Sequence, residues 1–115
     1  MPSIEPFTLA VPDETLVQIR RRVADYPWHE MPDDGGWAYG TNLDYLREFC
    51  AYWVEEYDWR AHEAKINGFN HFKAPVDGID IHFIREEGSG PAPMPLILSH
   101  GWPGTVVEFL DCIGP

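Results

Sequence analysis

The spacing of apolar residues changes twice along the 115-residue chain. In VPDETLVQIRRRVADYPW (11–28), Leu16, Ile19 and Val23 recur at helical spacing, and Asp13 and Glu14 stand in the first turn, where the helix dipole favours negative charge. Pro27 cannot continue a helix and biases Tyr26 toward an extended conformation, so the pattern predicts a helix from about Asp13 to Asp25. In TNLDYLREFCAYWVEEYDWRAHEAKIN (41–67), Leu43, Leu46, Cys50, Trp53 and Val54 trace one stripe. A helix from about Asn42 to Glu56 follows, with Thr41 as N-cap and Asp44 close to a capping-box position. Asp58 then caps a short helix over Trp59 to Lys65 that carries Trp59, His62, Glu63 and Ile66 on one face.

After Gly68 the period becomes two. FNHFKAPVDGIDIHFIREEGSGPAP (69–93) predicts an extended stretch near His71 to Ala74, a turn at Asp77-Gly78, and a strand with Ile79, Ile81 and Phe83 on one face, which together make a β-hairpin. MPLILSH (94–100) is a short continuous apolar run of the kind found in a strand buried on both faces. From Gly104 or Thr105, the residues Val106, Val107, Phe109, Leu110 and Ile113 suggest a helix of barely three turns. The order is that of an α/β protein, with a helical N-terminal module (1–68) followed by the first strands and first helix of an α/β sheet (69–115). Three strands do not bury both faces of such a sheet, so the expectation is the front piece of a longer, truncated α/β domain.

Between the first two helices, PWHEMPDDGGWAYG (27–40) combines turn residues with Trp28, Trp37 and Tyr39, which calls for a loop pinned to a surface rather than a linker. Asp33 and Asp34, beside Gly35-Gly36, read as turn residues before they read as a carboxylate pair. The aromatic-rich face of the third helix reads as a packing face, with a ligand box as the other option.

Composition narrows the function classes. With 44% apolar residues and five Trp, five Tyr and six Phe, the chain has the material for a core. Eight Lys and Arg against 19 Asp and Glu give a net charge of −11, which repels phosphate backbones and anionic lipid, so neither nucleic acid nor a membrane is expected as a partner. Arg20-Arg21-Arg22, among Asp13, Glu14 and Asp25, is a solvated helix face. No membrane span or signal peptide is visible in the sequence, and a cytoplasmic protein is expected. Cys50 and Cys112 are too few for a disulfide framework and read as free thiols, with a bridge between them left open. His62, His71 and His82 lack the spacing of a helical metal pair and read as packed or solvated side chains. No metal or cofactor is expected.

The candidate chemistry lies in LSHGWPGTVVEF (98–109). A strand that ends in a rigid turn and enters a helix aims backbone N–H groups at a developing anion. Gly101 removes a side chain, Pro103 fixes the path, and the Trp102 N–H is the available donor, because Pro103 has none. A plain turn without a catalytic task uses the same residue types. HGWPGT after PLILS, preceded by VDGIDIHFI and YDWRAHEAKINGF, resembles the N-terminal part of the microsomal-type epoxide hydrolase family of the α/β-hydrolase superfamily. Trp37-Ala38-Tyr39-Gly40, Tyr57-Asp58-Trp59-Arg60 and Asn67-Gly68-Phe69 add to the resemblance, which runs from about Phe7 to Pro115. One stretch departs from it: Phe69-Asn70-His71-Phe72 stands where the family has a Phe-Pro-x-Phe-like segment.

The resemblance implies a cofactor-free hydrolase. A carboxylate nucleophile opens a small apolar epoxide to an ester, lid tyrosines bond the epoxide oxygen, and a His–acid pair activates water to release a vicinal diol. Of that machinery, only His100, Gly101, Trp102 and Pro103 carry over to this chain, with Trp102 N–H in the oxyanion hole and a cis Trp102–Pro103 bond expected. No Gly-x-Ser-x-Gly or Gly-x-Asp-x-Gly elbow occurs; Ser89 has Glu87 where the first Gly would stand. The nucleophile and the His–acid pair are therefore not expected within these residues, and the 115-residue chain alone is expected to be inactive. Another α/β hydrolase with a Ser nucleophile and a noncatalytic protein-binding module remain alternatives, and a homo-oligomer stays open.

Overall fold

The computed structural model describes residues 3–30 and 36–113. They gather into two compact units, one of residues 11–59 and one formed by the residues up to Ala10 together with those from Arg60 onward. Asp33 and Asp34 lie outside the described residues.

The first of these units is a pair of helices, α1 (Asp13–Ala24) and α2 (Leu43–Glu55). Both elements appear where the apolar spacing places them. The start of α2 differs by one residue: Asn42, not Thr41, is the N-cap, and its Oδ1 accepts from the Tyr45 N–H at 3.0 Å. Asn42 reaches the third helical N–H, an orphan donor that a cap must satisfy, while Asp44 pairs instead with Arg47 at 3.2 Å. Leu43, Leu46, Cys50 and Val54 are half-buried along the expected stripe. Arg20, Arg21 and Arg22 are all exposed, with Arg21 3.3 Å from Asp25. In the connecting loop, Trp28 packs edge-on to Tyr26 and lies under the Arg47 guanidinium, and Trp37 packs against Tyr45. Tyr39 is exposed.

The other unit contains α3 (Trp59–Ile66) and a three-stranded antiparallel sheet in the order β1 (Glu5–Pro6), β2 (His71–Val76), β3 (Ile79–Ile84). The hairpin has the expected Asp77-Gly78 loop, with φ of +49° and +82°. Positive φ at both loop residues is the type I′ geometry that follows the strand twist, and Gly adopts it without a Cβ penalty. The pairing Val76↔Ile79 to His71↔Ile84 places Phe72, Ala74, Val76, Ile79, Ile81 and Phe83 on one face. Beyond the hairpin, Asn70 donates its N–H and its Nδ2 to the two carboxylate oxygens of Glu86, at 2.7 and 2.8 Å. A proline at position 70 has no N–H to give, so the departure from the Phe-Pro-x-Phe-like segment brings its own clasp.

The sequence pattern misses β1, which is two residues long. It pairs Glu5↔Lys73 and Pro6↔Phe72, and Pro6 suits an edge strand, where its lack of an N–H costs no ladder bond. On α3, Glu63 and Ile66 are buried while His62 is exposed, so the face drawn from the sequence is only partly the packed one.

One predicted element is absent. Residues 94–100 form no strand, and Met94, Leu96 and Ile97 are 89%, 79% and 91% exposed. A strand requires a neighbour for its N–H and C=O groups, and a strand buried on both faces requires layers above and below. None of the described residues supplies either. Among them no side chain is fully buried, and Ile66 and Leu110 are the two hydrophobic ones that reach the buried class. Cys50 and Cys112 are free thiols, Cys112 exposed. No helix among the described residues is long and apolar enough to cross a membrane.

Candidate functional site

His100, Gly101, Trp102 and Pro103 form one exposed turn. The Gly104 N–H donates to the Gly101 carbonyl at 2.7 Å, and the Trp102–Pro103 peptide between them is cis, the arrangement of a type VI turn. His100 Nδ1 lies 3.3 Å from the same carbonyl. That oxygen only accepts, so Nδ1 is the donor. No described residue accepts from the Trp102 N–H, and the Trp102 indole is 99% exposed.

The turn leads directly into a helix. Thr105 caps a 3₁₀ turn over Val106–Phe109, its Oγ1 accepting from the Val107 N–H at 3.2 Å, and α4 (Leu110–Ile113) continues from it. Leu110 is buried and anchors the segment. Gly104 sits at a close approach: a Cβ there would displace the exposed Glu108 carboxylate and stand 3.0 Å from the Gly101 oxygen. Gly101 differs, since a Cβ on it meets nothing within 4 Å. The small size of Gly101 is therefore not demanded by packing among the described residues. The carboxylate lying against the turn belongs to Glu108, which the sequence reading did not single out.

A second polar arrangement also escaped the sequence reading. Asn67 Oδ1 accepts from the Leu9 N–H at 2.9 Å and its Nδ2 donates to the Leu9 carbonyl at 2.7 Å. Beside it, buried His71 bonds through Nε2 to the Ile66 carbonyl at 2.7 Å and through Nδ1 to His82 Nε2 at 2.9 Å. Burial, then the neighbouring His71 and Lys73, hold His82 below the ordinary imidazole range. Among the described residues no three His, Cys, Asp or Glu side chains converge as metal ligands would.

The structural likeness to known proteins covers nearly the whole chain. A crystal structure of Aspergillus niger epoxide hydrolase superposes with a TM-score of 0.86 at 32% identity, over 95% of this chain and 29% of that one. The juvenile hormone epoxide hydrolase of the silkworm Bombyx mori superposes with a TM-score of 0.83 at 30% identity, over 96% of this chain and 30% of that one. In sequence, epoxide hydrolase 1 of Sus scrofa is 35% identical over 115 residues, which are 96% of this chain and 25% of the relative. The chain thus spans about a quarter of the length of the curated relatives it matches. Its helices and antiparallel hairpin are those of the N-terminal module of an α/β-hydrolase fold. With residues 4–109 matching the family described as epoxide hydrolase N terminus, the chain belongs to that family.

Proposed function

We propose that this chain is the N-terminal part of an epoxide hydrolase that converts small apolar epoxides and water to vicinal diols through an alkyl-enzyme ester. The observation that carries the reading is the match to the epoxide hydrolase N terminus over 4–109, a span that includes the His100–Pro103 turn. In the first step a carboxylate from outside these residues attacks an epoxide carbon, the C–O bond breaks, and the oxygen takes a proton from lid hydroxyls. In the second, the His–acid pair takes a proton from water as it attacks the ester carbonyl, the tetrahedral oxyanion forms and collapses, the departing alkoxide takes that proton to leave as the diol, and the carboxyl proton goes back to the lid to regenerate the carboxylate.

The role assigned here to this chain belongs to the second step. An exposed N–H with no acceptor among the described residues, on a turn closed by the Gly104–Gly101 bond, supports the Trp102 amide as an oxyanion donor. His100, Gly101 and Pro103 shape the path that presents it. The acidic charge supports a protein kept away from nucleic acid and anionic membranes. A cytoplasmic location is part of the same proposal, and cell fractionation tests it.

The decisive experiment uses the intact protein and an aryl-substituted epoxide, with the reaction quenched during the first turnover. Wild-type protein should show a transient mass increase equal to the epoxide. Trp102→Pro removes the amide hydrogen, so the adduct should accumulate while ester hydrolysis slows by about a hundred- to a thousand-fold. Circular dichroism establishes that the variant is folded. Wild-type ester hydrolysis in a folded Trp102→Pro protein would remove the oxyanion role, and a protein that cleaves carboxylic esters through a serine adduct instead would replace the epoxide reading.

A further inference from the structure

Both ring nitrogens of His71, 4% exposed at the start of β2, are engaged. The Ile66 carbonyl can only accept, so Nε2 of His71 carries a hydrogen. In a neutral ring Nδ1 is then the acceptor, and His82 must donate to it through its own Nε2–H. The tautomers of both rings are fixed from one end, and the relay runs from β3 through β2 to the last turn of α3. The ring planes are within 6° of parallel and the centroids are 5.2 Å apart, which is the N···N distance of 2.9 Å plus roughly a ring radius on each side, so both nitrogens lie on the line between the centroids. The contact is therefore a straight edge-to-edge hydrogen bond and not a face stack.

We propose that His71 and His82 form a proton-sensitive latch, which in the neutral state ties β3 to β2 through one imidazole–imidazole hydrogen bond and in the doubly protonated state breaks that bond, while His71 Nε2 keeps its hold on the Ile66 carbonyl of α3.

The site of each added proton follows from the relay. One ring nitrogen in it lacks a hydrogen without serving as acceptor, namely His82 Nδ1. A proton there leaves the His82 Nε2–H donating and the latch closed. The next must go to His71 Nδ1, which removes the acceptor and sets two cationic N–H groups against each other.

The surroundings of His82 do not favour added positive charge. On the same sheet face, Lys73 is cross-strand from His82. Its ammonium lies over the Phe7 ring at 4.3 Å, and that ring meets His82 edge-on at 5.1 Å. Glu5 of β1 is cross-strand from Lys73, and Asp80 of β3 lies two residues along from His82. From α3, buried Glu63 is engaged with Arg60 at 2.6 Å. No described carboxylate bonds to either imidazole.

The sign is fixed by the direction of the His82 shift. With the latch open His82 binds its proton at the ordinary imidazole value and with the latch closed it binds less readily, so opening is least favoured above about pH 6.5 and gains as the pH falls from there toward the lowered value, before any second proton breaks the bond outright. Hydrogen–deuterium exchange of peptides covering residues 69–86, in the intact protein and corrected for intrinsic exchange, reads the opening equilibrium. In the wild type it should rise by up to about tenfold per pH unit for each proton taken up below that point. The double substitution His71→Gln with His82→Gln keeps an amide donor for Ile66 and an amide-to-amide bond but has nothing to titrate, so its protection should be flat. A wild type without the slope, or a double variant that keeps it, overturns the latch. If the double variant does not fold, imidazole ¹⁵N shifts of the wild type decide: His71 held as the Nε2–H tautomer and titrating jointly with His82 supports it, and Nδ1–H or two independent titrations overturn it.

Discussion

Asn67 shows how a single side chain can stand in for a stretch of backbone. Its amide makes the paired donor and acceptor contacts with Leu9 that a neighbouring strand would make, across a sequence separation of 58. Each such bond contributes about 1 kcal/mol net, so Asn67→Ala should destabilise the unit by about 2 kcal/mol, read as a lower denaturant midpoint for the intact protein. Asn67→Asp should cost at least as much, because the donor is gone and a carboxylate then faces the Leu9 oxygen. Equal stability of wild type and Asn67→Asp would mean that the Leu9 contacts carry no weight. In the sequence, Asn67 enters only through the Asn67-Gly68-Phe69 resemblance. A partner so far away leaves no mark on local spacing. His71 and His82 are similar: nothing in the period-two pattern says that two residues on one sheet face share a hydrogen.

At the scale of elements, the capping of α2 separates two adjacent residues that look equivalent in the sequence. Asn42→Ala should cost about 1 kcal/mol of stability, since it leaves the Tyr45 N–H without its acceptor. Thr41→Ala should fall within the range of an ordinary surface change, about 0.5 kcal/mol or less. Thermal melting of the two variants side by side distinguishes them, and the reverse ranking would return the cap to Thr41. Both helices and the hairpin were legible because their determinants are local. Periodicity selects the face, Pro27 stops α1, and Asp77-Gly78 closes the hairpin with the positive φ values its loop requires. The 94–100 run departs from its pattern for the opposite reason: its apolar content says that it wants to be covered, and only neighbours could make it a strand.

For the whole molecule, the exposed apolar groups set the expectation. Leu96 and Ile97 are 79% and 91% exposed, and fully burying a side chain of that size contributes roughly 1.5–3 kcal/mol. Trp102 and the Ile79–Ile81 face of the hairpin add to the uncovered area. The 115-residue chain by itself is therefore expected to bind an apolar fluorescent dye, to melt over a broad range, and to leave an aryl epoxide unhydrolysed. The intact protein should bind little dye and melt cooperatively. A sharp transition and no dye binding in the 115-residue chain would favour a self-sufficient binding module.

Periodicity and turn chemistry were enough to determine the helical pair, the hairpin and the His100–Pro103 turn, and short motifs such as HGWPGT carried the resemblance to epoxide hydrolases. Each of these depends on residues within a few positions of one another, where spacing along the chain is spacing in space. Tertiary structure alone decided that Glu5 and Pro6 pair with β2, that Asn67 holds Leu9, that His71 joins Ile66 to His82, and that 94–100 stays without a strand. Those features are hydrogen bonds, made or missing, between segments that only the folded chain brings together, and a donor's partner across such a distance is not encoded in its neighbours.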